Sequence, residues 1–350
     1  MAVMTINHRQ NTTGPAIVTR GLTRHFTSRK QTVEAVQGLD LEIGQGELVA
    51  FLGPNGAGKS TTLRMLTTLI PPTSGSASVA GHDVVTGQRD VRQAIGFVGQ
   101  GNGAGHRQLG RDELISQGRA HGLSRADAHR RAGELIDDLD LGAVADRKVS
   151  SLSGGQRRRL DIAMGLVHLP RVLFLDEPST GLDPQNRINL QELIQRLHAE
   201  SGSTVVLTTH YLEEADALAG RVIVVDHGRV IADDSAARLK SGLGDLVRLS
   251  YDDPAPLARA AARLERVPDA RVEVSDDTVD LRVKDGSAMI GELLADLAAD
   301  GVPPARIEVA RPTLDDVFLD LTGRSLRETQ QTASTDTEAA TNQTQSEVAA

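Results

Sequence analysis

The fold of this chain is decided by residues 48–61, which read Leu48-Val49-Ala50-Phe51-Leu52-Gly53-Pro54-Asn55-Gly56-Ala57-Gly58-Lys59-Ser60-Thr61. The opening apolar run predicts a buried strand, which breaks at Gly53 into a glycine-rich loop. A helical pattern follows and stops before Pro71. Strand, Gly-x-x-x-x-Gly-Lys-Ser and helix in that order are the structural context of a phosphate-binding loop.

This loop has the chemistry to hold phosphate groups. Its glycines let successive backbone N–H groups turn toward phosphate oxygens, and the helix that follows presents its positive end. Lys59 then reaches the outer phosphates and the Ser60 hydroxyl ligates Mg²⁺. The predicted phosphate-binding residues are Gly53, Pro54, Asn55, Gly56, Ala57, Gly58, Lys59, Ser60 and Thr61. The alternative, a glycine-rich turn that matches by chance, is disfavoured by the flanking strand and helix.

Composition describes an ordinary globular chain, because 39% of its 350 residues are apolar and 24% are charged. Its length allows two domains. The lack of cysteine excludes disulfides and thiolate metal sites. A net charge of −9 and an aromatic content of 2% argue against a nucleic-acid partner, which usually requires a basic face or stacking rings. No apolar run approaches the roughly 20 residues of a membrane-spanning helix, so any membrane function is expected to need a partner.

The pattern along the chain predicts an α/β domain over residues 16–240, preceded by a disordered tail at residues 1–15 without the apolar core of a secretion signal. Short alternating strands at 17–26 and 33–43 predict an antiparallel β subdomain. Continuous apolar strands that alternate with helices predict a mainly parallel sheet, the architecture of a P-loop NTPase. Apolar positions three and four residues apart predict a helical subdomain at about 100–165.

A second, smaller domain is predicted at residues 245–323. Its short strands and alanine-rich helices follow the order βαββαβ, which is the ferredoxin-like split βαβ sandwich. No cluster in it suggests chemistry, so a docking or regulatory role is expected. Residues 324–350 contain too few apolar side chains to offset chain entropy, and they are predicted to be a disordered tail.

Two carboxylates follow the apolar strand Val172–Leu175. A carboxylate at the carboxyl end of such a strand faces the ligand crevice of an α/β sheet, so Asp176 is the expected Mg²⁺ partner of Ser60. Glu177 is the candidate general base for an attacking water, a role that typically contributes about 10²–10⁴ in rate. The alternative is that Asp176 and Glu177 are a solvated acidic pair at the end of the strand. The predicted phosphate-binding loop disfavours this alternative.

Gln100 and His210 also follow predicted strands. A lone histidine at a strand end is more often a satisfied imidazole than a catalyst, but this position brings His210 within reach of a terminal phosphate. Gln100 opens the glycine-rich loop Gly99–Gly105, where it can touch both Mg²⁺ and a moving partner. The predicted catalytic residues are Glu177, His210, Lys59 and Gln100, and the predicted Mg²⁺ ligands are Ser60, Gln100 and Asp176.

A second anion seat is predicted at Ser153-Gly154-Gly155-Gln156. Ser153 is a good N-cap for the helical run that follows, and the seat offers a hydroxyl and N–H groups at a helix N-terminus. Residues 53–60 already bind one set of phosphates. A second anion-binding site would therefore be useful if it covered the nucleotide bound by another copy of the protein. The pattern alone leaves this open.

The motifs, taken in order, resemble the ATP-binding subunit of an ABC transporter over residues 17–240. They are Gly53–Ser60, Gln100, Leu152–Gln156, Leu175–Pro178, Ser179–Asp183 and His210. The resemblance implies ATP and Mg²⁺ as cofactors. It also implies a head-to-tail homodimer in which two ATP molecules lie between Gly53–Ser60 of one copy and Ser153–Gln156 of the other.

The same resemblance assigns roles to individual residues. It implies Glu177 as the general base and His210 as a sensor of the γ-phosphate. Asp183 is implied as the residue that bridges the two sites, and Phe26 stands where the family places an adenine-stacking aromatic residue.

The segment Arg311–Gly323 narrows the resemblance. Thr313 and Asp316 predict a capping box at the start of an amphipathic helix, and the segment is similar to the C-terminal motif of daunorubicin/doxorubicin-resistance exporter ATPases. This resemblance implies an ATP-hydrolysing subunit, peripheral on the cytoplasmic face of the membrane. It would drive efflux of a drug-like or other small hydrophobic compound through a separate ABC-2-type permease.

Other functions stay open at this stage. An ATP-dependent exporter of lipid or polysaccharide would use the same cassette. A soluble ABC ATPase acting on nucleic acid or ribosomes usually carries two motif sets or long coiled coils, and this chain has neither. A regulator that binds ATP without turnover is disfavoured by the presence of Glu177 and His210.

Overall fold

The computed structural model describes residues 14–28, 31–101, 103–105 and 107–326. Most of the two predicted tails, residues 1–13 and 327–350, lies outside these residues. By its internal contacts the chain divides into two compact units, Met1–Asp233 and Asp234–Ala350.

The first unit alternates strands with helices, as its hydrophobic pattern predicts. Its strands are β1 Ile17–Ser28, β2 Gln31–Ile43, β3 Leu48–Leu52, β4 Ser74–Val79, β5 His82–Asp83, β6 Ile95–Val98, β7 Val172–Asp176, β8 Thr204–Thr209, β9 Arg221–Asp226 and β10 Arg229–Asp234. Its helices are α1 Lys59–Leu66, α2 Gln88–Ala94, α3 Gly110–Ala120, α4 Arg125–Asp138, α5 Gly154–Leu166, α6 Pro184–Ser201 and α7 Leu212–Leu218.

The central sheet of this unit has the order β10-β9-β3-β8-β7-β6. Strands β3, β7 and β8 are buried along their whole length, as expected when helices cover both faces of a parallel sheet. Leu52 pairs with Thr209, and Asp176 pairs with Thr208, in parallel register. The carboxyl ends of these three strands therefore meet at one edge, which confirms the predicted α/β fold class.

A separate antiparallel sheet has the order β2-β1-β4-β5, which confirms the predicted antiparallel strands. Its apolar side chains join the core of the central sheet. Ile17 and Ile43 from the antiparallel sheet belong to the same buried cluster as Phe51 of β3 and Phe174 of β7. This shared core holds β3, and with it the loop that follows, in a fixed position.

The region 110–166 folds into helices. The run that follows Gly110 divides into α3 and α4 because Gly122 turns the chain with a φ of 90°, and Ser124 caps α4 by accepting a hydrogen bond from the Asp127 N–H. Buried Arg131 on α4 donates to the carbonyl of Leu166, at the end of α5, over 3.3 Å. This bond holds α4 against the helix that begins after Ser153.

Two histidines join the helical region to the central sheet. His121, directly after α3, stacks on His168, which follows α5, with ring centroids 3.7 Å apart. The Nε2–H group of His168 donates to the carbonyl of Ile95 on β6 over 2.8 Å. Burial, with a further contribution from His121, lowers the pKa of His168 to about 4, because the charged ring loses its hydration.

We expect the His168→Gln variant to resist acid better than the natural protein. The pKa of His168 is about 4 in the folded chain and about 6.5 when unfolded. Its stabilising contribution is therefore complete above pH 6.5 and is lost as the pH falls toward 4. Thermal unfolding measured between pH 7 and 4.5 should show a steeper loss in the natural protein, amounting to at most about 3 kcal/mol.

The control is His129→Gln, since His129 is exposed on α4 and its ring nitrogen contacts the Arg125 carbonyl. Its stability should follow the same pH curve as the natural protein. Parallel curves for the natural protein and the His168→Gln variant would contradict the proposed cause.

The second unit is an α+β sandwich. Its strands are β11 Asp245–Ser250, β12 Arg271–Val274, β13 Thr278–Val283 and β14 Arg306–Ala310, and its helices are α8 Ala236–Ser241, α9 Pro254–Leu264, α10 Gly286–Ala299 and α11 Leu314–Thr322. The sheet has the order β12-β13-β11-β14, and the pairs are antiparallel. This topology confirms the βαββαβ prediction. Leu249, Leu264, Leu281 and Leu297 are fully buried in its core.

Helix α11 begins with the predicted capping box. The Thr313 hydroxyl accepts from the Asp316 N–H over 3.2 Å, and the Asp316 carboxylate accepts from the Thr313 N–H over 2.8 Å. Val317 and Phe318 are buried beneath the helix, whereas Leu321 is 45% exposed. The motif that carried the C-terminal resemblance is thus mainly a well-capped packing helix.

Candidate nucleotide-binding site

The loop between β3 and α1 approaches its neighbours so closely that only glycine fits at two positions. A Cβ atom on Gly53 would lie 2.1 Å from the carbonyl oxygen of Val225, and one on Gly58 would lie 2.3 Å from that of Ala35. Gly58 also has a φ of 101° and directly precedes α1, a conformation that other residues rarely adopt. The loop thus leads into the positive end of a helix, where anions bind.

Lys59 is the first residue of α1, directly after this loop, and its side chain is 4% exposed. Its ammonium donates to the carbonyls of Gly53, over 2.7 Å, and Pro54, over 2.9 Å. Burial lowers the pKa of Lys59, and the negative charges of Glu177 and Asp176 oppose this effect. The cation therefore lies between the phosphate loop and the carboxylates of β7, where a terminal phosphate needs one.

Ser60, Gln100 and Asp176 come together from three separate parts of the chain. The Ser60 hydroxyl donates to Oδ1 of Asp176 over 2.8 Å, and the Gln100 Nε2 group donates to the Ser60 hydroxyl over 3.3 Å. Asp176 is 1% exposed. Because β6 and β7 are adjacent in the sheet, Gln100, which lies two residues after β6, reaches the end of β7.

These three side chains offer a hydroxyl, an amide and a carboxylate. Mg²⁺ prefers oxygen ligands and keeps several waters and phosphate oxygens, so it needs few protein ligands. The 2.8 Å contact between Ser60 and Asp176 fits that requirement. Within the described ranges, no cluster of three or more His, Cys, Asp or Glu residues is able to hold a metal by itself.

Glu177 lies among three polar partners. Its Oε1 atom is 4.0 Å from the Lys59 ammonium, and its Oε2 atom accepts from the Thr180 hydroxyl over 3.1 Å and lies 3.5 Å from Nδ1 of His210. Burial raises the pKa of the carboxyl, but His210, Lys59 and Thr180 outweigh burial and lower it. The side chain is therefore ionised at neutral pH and able to accept a proton.

The backbone of Glu177 is strained, since its φ is 45°. Non-glycine residues in this region cost about 1–3 kcal/mol and cluster at functional sites. The Glu177 N–H donates to the Thr208 hydroxyl over 2.9 Å, and that hydroxyl donates to Oδ1 of Asp176 over 2.7 Å. Thr208 on β8 thus fixes both carboxylate-bearing residues.

His210 directly follows β8 and contacts Glu177. Its ring packs against Tyr211 with centroids 4.1 Å apart, and the guanidinium of Arg187 lies 3.8 Å above the Tyr211 ring. The imidazole therefore lies between Glu177 and the ring of Tyr211, which in turn contacts Arg187 on α6.

Ser153 begins α5 with a capping box. Its hydroxyl accepts from the Gln156 N–H over 3.3 Å, and its own N–H donates to Oε1 of Gln156 over 3.0 Å. Ser153 and Gly154 are exposed, whereas a Cβ atom on Gly155 would lie 2.7 Å from Oδ1 of Asn186. The N-cap prediction is confirmed, and the exposed start of the helix is available to a second molecule.

Asp183 lies at the start of α6, and Phe26 lies on β1. Asp183 caps α6 by accepting from the Asn186 N–H over 2.8 Å, and its other oxygen accepts from the Asn186 side chain over 2.7 Å. Phe26 on β1 is 41% exposed, with the Arg24 guanidinium 4.7 Å from its ring centroid. Both side chains thus have local partners, and their contacts with a nucleotide stay predictions.

Comparison with known proteins matches this geometry to a family. Residues 36–180 fit the ABC transporter family. Over 315 residues the chain is 43% identical to the daunorubicin/doxorubicin resistance ATP-binding protein DrrA of Streptomyces peucetius, covering 88% of this chain and 92% of that protein. The chain belongs to the daunorubicin/doxorubicin-resistance ATP-binding proteins of ABC transporters. It is also 34% identical, over 302 residues, to the linearmycin resistance ATP-binding protein LnrL of Bacillus subtilis (strain 168), covering 85% and 96% of the two chains.

Solved structures support the same assignment for this ABC cassette. A dimeric post-hydrolysis structure of the ATP-binding cassette MJ0796, bound to ADP and Pi, has a TM-score of 0.58 and 26% identity, covering 63% of this chain and 98% of that one. The resemblance to an ABC ATP-binding subunit is thus confirmed: the protein binds and hydrolyses ATP. Cassettes of this family work as dimers with membrane subunits and are peripheral to the membrane.

The helices in the described ranges of this ABC cassette are all too short or too polar to cross a bilayer. The structure brings together six predicted residues, which are Lys59, Ser60, Gln100, Asp176, Glu177 and His210. Sequence reasoning missed Thr208, although a threonine at the end of a buried strand next to Asp176 was a usable signal. It also missed Arg158 and Asp161 on α5.

Proposed function

We propose that this ABC cassette powers the export of a drug-like or other small hydrophobic compound, such as daunorubicin, through a separate ABC-2-type membrane subunit, from the cytoplasmic face. The proposal is supported by the 43% identity, over 88% of the chain, with a daunorubicin/doxorubicin resistance protein. For the ATPase chemistry, the supporting observation is the 2.8 Å contact between Ser60 and Asp176, directly beside Glu177.

We assign the site residues as follows. Residues Gly53–Thr61 bind the phosphates, and Ser60, Gln100 and Asp176 hold Mg²⁺. Ser153–Gln156 of a second copy would cover the nucleotide, with Asp183 near the boundary between the two sites and Phe26 beside the adenine. The exposed Ser153 and Gly154 support the head-to-tail homodimer, because an uncovered helix start is free to meet a phosphate of the other copy.

In the proposed reaction Glu177 takes a proton from the water that attacks the terminal phosphate. Its lowered pKa keeps it ionised, and Thr180 and His210 orient one carboxylate oxygen. Lys59 and His210 then face the negative charge that grows on the phosphate oxygens, and fixed charges of this kind stabilise the transition state. Ser60, Gln100 and Asp176 would hold Mg²⁺, which would supply neutralisation of the charge on the phosphate oxygens.

The test pairs the chain with the membrane protein encoded beside it, which should contain about six apolar segments of about 20 residues. Inside-out vesicles containing both proteins should accumulate daunorubicin when ATP is added, as measured by quenching of its fluorescence. Vesicles with the Glu177→Gln subunit, or with either protein alone, should not. Uptake of a labelled lipid or polysaccharide with no response to daunorubicin would contradict the drug substrate, and co-purification with ribosomes alone would contradict transport itself.

A further inference from the structure

Arg158 is a buried arginine on α5, five residues beyond Ser153, and it is 8% exposed. Its guanidinium donates to three backbone carbonyls: Pro178 over 2.8 Å, Gly99 over 2.7 Å and Asp176 over 3.1 Å. Charged arginines are almost never buried unless they are paired. Here the partners are carbonyl groups at the ends of two neighbouring parallel strands, β6 and β7.

Each of these carbonyls belongs to a residue next to a predicted site residue. Gly99 immediately precedes Gln100, while Asp176 and Pro178 flank Glu177 on both sides. A planar guanidinium presents several donors in a fixed fork, so it is able to hold carbonyls that come from different segments. One side chain of α5 therefore fixes the backbone on both sides of the candidate base and the backbone before Gln100.

Asp161 lies almost one turn further along the same face of α5 and is also buried. Its Oδ1 atom accepts from the N–H groups of Gly103, over 3.1 Å, and Ala104, over 3.2 Å. A Cβ atom on Gly103 would lie 3.2 Å from this oxygen, so the small residue permits the contact. The two ends of the glycine-rich loop are thus attached to α5 by side chains of opposite charge.

We propose that Arg158 and Asp161 form a clamp through which α5 sets the positions of Gln100 and Glu177. Arg158 is then a positioning residue for hydrolysis, which acts through the backbone it holds. Helix α5 begins directly after the exposed Ser153. If the nucleotide of a second copy binds there, the helix would transmit that binding to Gln100 and Glu177 together. This inference rests on the function proposed above for Gln100 and Glu177.

The first test measures steady-state ATP hydrolysis by the purified full chain and its Arg158→Gln and Arg158→Lys variants. We expect kcat to fall about 10- to 100-fold in Arg158→Gln, because a misplacement of about 1 Å can cost that much. The KM for ATP should stay within about threefold, since the phosphate loop is untouched. Arg158→Lys should recover only part of the rate, because an ammonium lacks the fork that reaches three carbonyls.

Arg157→Gln is the matched control. Arg157 is the neighbouring arginine on α5, but its guanidinium donates to the carbonyl of Val149, within the helical region, over 2.9 Å. Its kcat should stay within about twofold of the natural protein. A rate for Arg158→Gln equal to that of Arg157→Gln would overturn the proposal.

The second test asks whether Arg158 acts through Gln100. Gln100→Ala is combined with Arg158→Gln, and the four kcat values form a double-mutant cycle. If Arg158 positions Gln100, the double variant should be no more than about threefold slower than the slower single variant. Losses that simply multiply would show that Arg158 does not act through Gln100, and would overturn that part of the clamp.

If removal of Arg158 prevents folding, Asp161→Asn replaces it in the cycle. Asparagine has nearly the same shape as aspartate but lacks the negative charge. This variant should show a smaller loss of kcat with the same non-multiplying combination with Gln100→Ala. Glu177→Gln is run beside all variants: if it hydrolyses ATP at the natural rate, the proposed function has failed. If it is inactive while the Arg158 and Asp161 variants are normal, only the clamp has failed.

Discussion

Replacing Glu177 by Gln should reduce kcat for ATP hydrolysis by about 10²–10⁴, the range for a positioned general base. The amide has nearly the same shape but cannot accept a proton from water. The carboxylate of the natural protein is partly buried and ionised, with His210 and Lys59 holding its pKa low against the effect of burial. Phosphate release from the purified chain measures the loss.

The same variant should still form an ATP-bound dimer, because the phosphate loop and the Ser153 seat are intact. Sedimentation with Mg²⁺ and ATP should therefore show a heavier species than without nucleotide. The control is Glu192→Gln, an exposed glutamate on α6, which should hydrolyse ATP normally. A Glu177→Gln chain that stays monomeric with ATP would argue against the two-copy sandwich.

Replacing Lys59 by Ala should remove tight ATP binding itself. The ammonium is the buried cation of the loop and bonds to the carbonyls of Gly53 and Pro54. Interactions with a charged group are worth about 1.5–3 kcal/mol each, so the loss of those to the phosphates should weaken binding by at least about 100-fold. Isothermal calorimetry with ATP measures the change.

Lys284→Ala is the matched control, since Lys284 is exposed between β13 and α10 in the second unit. Its ATP affinity should equal that of the natural protein. An unchanged affinity for Lys59→Ala would contradict the role of Lys59. Unfolding of that variant is excluded by its thermal transition, which should remain cooperative.

Most elements of the fold were predictable because their local signals agree. Strand β3 and residues Val172–Leu175 of β7 are continuous apolar runs, and β8 has an apolar centre between threonines. Strands of this kind are stable only inside a covered sheet. Glycine at 53 and 58 was required by close backbone approach, so the loop motif and its tertiary surroundings specify the same geometry. The topology of the second unit likewise followed from the order of its short strands.

The support of the site was not predictable in the same way. Arg158 reads in the sequence as one of three consecutive arginines, and nothing local distinguishes it from its neighbours. Only the fold places it beneath the ends of β6 and β7. Thr208 is similar, because its two hydrogen bonds to Asp176 and Glu177 depend on which strands are adjacent.

By itself the sequence determined the phosphate loop, the carboxylates after β7, the capped start of α5 and the family to which these motifs belong. These features are local, since each depends on residues within about one strand or one turn of helix. The motifs predict Ser60, Gln100 and Asp176 as partners, but the tertiary structure alone sets the contacts by which they meet. It alone places Thr208 and Arg158 against Asp176. Strand order is set by the packing of the whole core, so residues more than a hundred positions apart become neighbours only when the sheet has formed.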